Sequence, residues 1–118
     1  MKAVFHLATC NTCQRILKEW NLPEEVELRE IKSQAMTETE VDQMAELAGS
    51  YEALFSRRAR KFRGLGLHEM ELSEQDYRRY LLQDYTFLKR PVLVWEDQIY
   101  VGNSAKNVAA AGEFLQAR

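Results

Sequence analysis

Cysteine is scarce in this chain: two residues in 118, at positions 10 and 13. The two lie three positions apart, and a 13.8 kDa chain is large enough to hold one core without covalent staples. Histidine is equally scarce, with only His6 and His68. A closed zinc site needs four ligands and would have to recruit both of them beside the thiols, so no metal is expected. No stretch is long and apolar enough to span a bilayer. The opening run over residues 1–7 turns polar too soon for a signal peptide. A large excess of charge of one sign is missing too: 16 Lys and Arg face 18 Asp and Glu, for a net charge of -2. Without a global positive field, direct nucleic-acid binding and attachment to an anionic membrane are not expected. Linkers, internal repeats and low-complexity tracts are absent, so residues 1–118 read as one domain. A closely spaced thiol pair in a chain of this kind points to the cytoplasm, where such pairs are more often catalytic, redox-sensing or metal-binding than structural.

What is present suits a globular core, with 46% hydrophobic and 29% charged residues. Lys2 to Leu7 reads as a short buried strand running into the loop Ala8-Thr9-Cys10. From Thr12 onward Cys13, Ile16, Leu17 and Trp20 share one helical stripe, and Pro23 follows it. The first helix therefore begins inside the cysteine motif. Val26 to Ile31 alternates and then slips phase, which still fits a second strand. The middle reads as helical. Thr37 and Glu40 make a capping-box pattern ahead of Val41, Met44, Ala45 and Ala48, and Gly49 closes that helix. Tyr51 to Arg63 reads as short helices anchored by Leu54, Phe55 and Phe62 and broken at Gly64 and Gly66; Ser73 opens another helix with Tyr77, Tyr80 and Leu81 on one side. Pro91-Val92-Leu93-Val94-Trp95, a turn at Glu96-Asp97-Gln98 and Ile99-Tyr100-Val101 form a predicted β-hairpin. Ser104 can cap a last helix with Val108, Ala111, Phe114 and Leu115 inward, weakened at Gly112.

The order β-α-β, helical block, β-β-α requires a parallel first pair and an antiparallel hairpin. It predicts an α/β, thioredoxin-like fold with a four-stranded mixed sheet. Residues 1–32 and 88–118 supply the core and 33–87 a helical insertion.

A thiolate at a helix N-terminus faces unsatisfied backbone N–H groups and the positive end of the helix dipole, so its pKa falls. Cys10 occupies that place, while Cys13 lies one turn on in the apolar stripe and is expected to be more buried and less ionised. Cys10 is thus the candidate nucleophile toward an oxidised substrate and Cys13 the resolving thiol, with the resulting disulfide reduced by an external thiol system. An inert buried pair would suit Cys13 but not Cys10 in its loop. Arg90, ahead of Pro91, could stabilise a thiolate or bind an oxyanion bidentately if the chain returns to the dithiol. The plainer readings are a solvated charge and a strand-starting proline. The basic run from Arg57 to Arg63 spreads its charges around a helix axis and reads as mostly solvated, leaving Arg57 or Arg58 as candidates. Arg15 reads as exposed.

Three segments together resemble the arsenate reductase (ArsC) and Spx-like family, a thioredoxin-fold group with a helical insertion. They are Phe5-His6-Leu7-Ala8-Thr9-Cys10-Asn11-Thr12-Cys13, Leu54-Phe55-Ser56-Arg57-Arg58 and Leu88-Lys89-Arg90-Pro91-Val92-Leu93-Val94. The resemblance implies a nucleophile at Cys10, an active-loop arginine at Arg90 and a cis bond at Pro91. It also implies a substrate-binding arginine at Arg58, with Arg57 one residue away, and a substrate-facing loop at Asn11 and Thr12. His6, four residues before Cys10, matches the histidine that tunes the thiolate in the reductase branch; a strand histidine is otherwise most often a satisfied core residue.

An oxidoreductase is implied, with no bound cofactor and with glutathione or thioredoxin as external reductant. It would act as a monomer on a small anionic or thiol substrate. Arsenate reductases of this type carry a further arginine in the final hairpin, and Val101-Gly102-Asn103 has none. Cys13 restores the C-x-x-C of Spx-type regulators. The alternative reading is therefore a redox-switched regulator that binds the C-terminal domain of the α-subunit of RNA polymerase. Gly49-Ser50 only approximates the Gly-Thr pair of that binding surface.

Overall fold

A computed structural model describes all residues, 1–118. The elements run β1 (Lys2–His6), α1 (Asn11–Trp20), β2 (Glu27–Glu30), α2 (Glu38–Ala48), α3 (Arg60–Gly64), α4 (Glu74–Gln83), β3 (Val92–Trp95), β4 (Gln98–Val101) and α5 (Ala105–Ala117), with single 3-10 turns at Glu52–Leu54, Leu67–Glu69 and Tyr85–Phe87. The four strands form one sheet in the order β2-β1-β3-β4. β1 and β2 are parallel, with His6 opposite Glu30, while β1–β3 and β3–β4 are antiparallel. This is the mixed α/β, thioredoxin-like arrangement expected from the element order.

Two compact units make up the chain: residues 1–34 with 90–118, and residues 35–89. The first contains the whole sheet with α1 and α5. Because side chains alternate across a strand, Val4 and Leu93 point to one face and pack with Ile16, Trp20, Val26, Ala111 and Leu115. The Trp20 indole N–H also donates to the Val108 carbonyl at 3.1 Å, joining α1 to α5. Gly112, expected to weaken α5, sits inside a helix that continues unbroken to Ala117. The packing of Trp20 against this stretch supplies what propensity withholds.

β2 departs from expectation. Its phase slip reflects an inversion in which Leu28 is exposed and Arg29 takes the buried position. The Arg29 guanidinium lies 5.5 Å from the Phe5 ring centroid and donates to the Gln34 carbonyl at 3.3 Å. A buried cation is tolerable only with such partners.

In the second unit the capping boxes form as local sequence dictates. Thr37 Oγ1 accepts from the Glu40 amide at 3.1 Å, and Glu40 Oε1 accepts from the Thr37 amide at 2.9 Å. Ser73 and Asp76 repeat the device at α4. Phe55 stacks on Phe87, with ring centroids 4.9 Å apart, and meets Tyr77 edge-on at 5.0 Å. Arg78 ties α4 to α2 through Asp42, with Nε to Oδ1 at 2.8 Å.

Candidate active site

The site is built at the junction of β1 and α1. The helix starts at Asn11, one residue earlier than its apolar stripe shows, so Cys10 is itself the N-cap, in extended backbone conformation. Its sulfur accepts from the Cys13 amide at 3.5 Å, one of the orphan donors of the first turn. Burial pushes the Cys10 thiol up. The Cys13 and Thr12 amides, the Cys13 thiol and the positive Arg90 outweigh it and leave the pKa below the ordinary thiol value. Cys13 is fully buried, and desolvation pushes its thiol up to about 11 despite Arg90. One sulfur is partly exposed with its pKa lowered, while the other is buried and, with its pKa raised to about 11, protonated at neutral pH. Both are free thiols.

Arg90 and Pro91 belong to the same unit as the dithiol, and their peptide bond is cis, the isomer the resemblance implies. Pro91 is held from the other side of the hairpin, since its carbonyl accepts from the Gly102 amide at 2.9 Å. Gly102 makes that bond at φ 91°, backbone that glycine adopts without the cost a Cβ would impose. The Gly102 carbonyl in turn accepts from the Asn107 side chain at 2.8 Å, anchoring the hairpin end to the first turn of α5.

His6 is buried, and its pKa is lowered by that burial, against an opposing pull from Glu30. Its Nδ1 lies 3.2 Å from the Gln14 side-chain amide, which puts the ring proton on Nε2 if the amide nitrogen donates. The lowered pKa disfavours the protonated imidazole through which His6 would tune the thiolate. Asn11 is exposed on the first turn of α1, and Thr12 contributes its backbone amide to Cys10.

Arg57 and Arg58 lie in the other unit. Arg57 is engaged there, donating to Glu52 at 2.6 Å and to the Tyr77 hydroxyl at 2.9 Å. Arg58 is exposed, with its backbone amide on Ser56 Oγ at 3.3 Å. An open groove of about 580 Å³ runs between α1 and α5, floored by Ile16, Trp20 and Val108, and none of the nominated side chains except Arg15 at its rim lines it. No group of three or more His, Cys, Asp or Glu side chains is arranged to hold a metal ion. No helix is long and apolar enough to cross a membrane.

Two residues of the site were invisible to sequence reasoning. Glu30 reaches from the end of β2 to the Ala8 amide at 2.8 Å, and Gln14 reaches from α1 to the Leu7 carbonyl at 3.0 Å. The only hint was a strand that ends out of phase on an acidic residue.

The sequence matches the ArsC family along residues 5–111. The chain belongs to the ArsC family. Solved structures share its architecture. An arsenate reductase from Vibrio cholerae superposes with a TM-score of 0.76 at 14% identity, covering 93% of this chain and 96% of that one. An arsenate reductase (ArsC) related protein from Brucella melitensis gives 0.69 at 18% identity, with 92% of each chain covered. A protein of Streptococcus mutans UA159, described as a possible arsenate reductase, gives 0.66 at 27% identity over 84% of this chain and 87% of its own. No curated protein matches the chain. Membership of this family of thiol-dependent reductases makes the Cys10 loop the place to look for chemistry.

Proposed function

We propose that this ArsC-family protein is a cytoplasmic thiol-dependent reductase in which Cys10 is the nucleophile and Cys13 the resolving thiol. The observation that supports it is the inequality of the two sulfurs, with Cys10 biased toward thiolate at a helix entrance and Cys13 buried and protonated.

With a disulfide substrate, the Cys10 thiolate attacks one sulfur, forming a mixed disulfide and expelling the other substrate sulfur as a thiolate that takes a proton from water. Cys13 then loses its proton, attacks the Cys10 sulfur and releases the second substrate thiol. The Cys10–Cys13 disulfide holds the two electrons' worth of oxidation until two glutathiones, or one thioredoxin dithiol, reduce it. Burial is the main cause of the raised Cys13 pKa and persists, but capping Cys10 removes the thiolate that also opposed ionisation and so eases the second attack. Arg90 stabilises the Cys10 thiolate before attack and holds the anionic part of a substrate. An oxyanion such as arsenate would enter by the same attack, with water as the leaving group. The hairpin lacks the further arginine such a substrate finds in typical arsenate reductases, which favours a disulfide.

The test is an assay of wild type and Cys10→Ser with a model disulfide and with arsenate, each supplied with glutathione or thioredoxin, alongside alkylation of Cys10 against pH. Turnover lost in Cys10→Ser and a thiol titrating below free cysteine support the reading. No turnover with any pairing and an ordinary thiol titration refute it.

A further inference from the structure

The peptide unit between Leu7 and Ala8 is gripped at both ends. Its N–H donates to Glu30 Oε2 at 2.8 Å, and its C=O accepts from the Gln14 side chain at 3.0 Å and from the Cys10 amide at 3.0 Å. The last of these closes the turn that brings Cys10 to the helix entrance. Glu30 is itself immobilised, because its other oxygen accepts from the Ser33 amide at 2.7 Å, the Ser33 hydroxyl at 2.8 Å and the Lys32 amide at 3.0 Å. Gln14 is likewise fixed by His6 Nδ1 at 3.2 Å.

We infer that Glu30 and Gln14 are positioning residues for Cys10: together they lock the Leu7–Ala8 peptide plane and so hold the nucleophile's sulfur against the amides of the first turn of α1. Neither side chain is a catalytic residue, and their role rests on the proposed role of Cys10. Leverage is the reason. An N-cap sulfur gains from the Cys13 amide only at hydrogen-bond range, 3.5 Å here, and Glu30 and Gln14 are the side chains that tether the turn preceding it. A rotation of the Leu7–Ala8 plane swings the turn away and returns the sulfur toward solvent. The strongly lowered pKa of Glu30, to about 2, follows from the same amide bonds and keeps it an acceptor at every working pH.

Charge and geometry predict opposite signs for Glu30, so the two can be told apart. A carboxylate near a thiol disfavours thiolate, so removing its charge alone would make Cys10 more reactive. Losing the brace would make it less reactive. The experiment is the pH dependence of Cys10 alkylation by iodoacetamide, read by peptide mass in the full chain, for wild type, Glu30→Gln and Gln14→Met. Both substitutions conserve size. The expected result is a rate at pH 7 lower by about threefold to tenfold in each, as the thiolate fraction drops toward that of an ordinary cysteine. The double variant should lose less than the product of the two, because both grip one peptide. Ser33→Ala, which loosens Glu30 without touching the Cys10 turn, should shift the profile the same way by less, and covers the case in which Glu30→Gln fails to fold. Ser104→Ala, a cap substitution on α5, is the stability control and should lower the melting temperature without moving the profile. Unchanged or faster alkylation in folded Glu30→Gln or Gln14→Met overturns the inference. A wild-type thiol that titrates normally would instead sink the proposed function.

Discussion

A sulfur at the entrance of a helix and a sulfur one turn inside it meet opposite electrostatic conditions, and the proposed reactivity of this protein rests on that contrast. Arg90 is the one full positive charge shown acting on Cys10. Arg90→Ala should therefore raise the Cys10 pKa and slow its alkylation at pH 7, whereas Arg90→Lys should retain most of the rate; equal loss in both would mean that guanidinium shape matters more than charge. Cys13→Ser removes the proposed second attack. The mixed disulfide with a glutathionylated substrate should then accumulate, visible as one added glutathione in the intact mass, and its absence would remove Cys13 from the resolving role. At this scale the cysteine pair and its place at a helix start were legible, because both are local facts of the motif. Glu30 and Gln14 were not, because their partners are 22 and 7 residues away and only the folded turn brings them to one peptide. Nor was the state of His6, since burial and a 3.2 Å contact with Gln14 decide it and neither is written in the neighbouring letters.

Among the elements, those defined by local chemistry were the easiest to read. Thr37, Ser73 and Ser104 each cap the helix they precede, because a hydroxyl can reach the third amide of a helix wherever the chain enters one. Ser104→Ala should cost about 1 kcal/mol, measured by chemical denaturation. β2 was harder, because the identity of its inward side is set by Phe5 and the Gln34 carbonyl, which make a buried arginine acceptable while Leu28 stays outside. Gly112 offers a gain. A methyl built there meets Trp20 Cδ1 at 3.8 Å, an ordinary contact. Gly112→Ala should stabilise the protein by about 0.5–1 kcal/mol through helix propensity alone, read from the denaturation midpoint. A loss of stability would show that the Trp20–α5 contact has no room to give.

For the whole molecule, element order carried the sheet topology, since a short α crossover enforces the parallel β1–β2 pair and a tight turn the antiparallel β3–β4 pair. The pH response follows from groups spread over the chain. His6 is lowered from 6.5, so the unfolded chain binds its proton first and stability starts to fall as pH drops through that value. Glu30, lowered from 4.5 to about 2, contributes stability that is complete above 4.5 and lost as pH falls toward 2; Asp42, Asp76 and Asp84, all lowered from 3.8, act the same way. Denaturation midpoints should therefore decline steadily from pH 7 into acid, and a plateau down to pH 3 would contradict these assignments.

Burial of Cys13 beside an open Cys10 has a practical corollary. A bulky maleimide dye or nitroxide should settle on a single sulfur of the native chain, so the molecule provides its own unique tether for fluorescence or spin-label spectroscopy without any engineered cysteine.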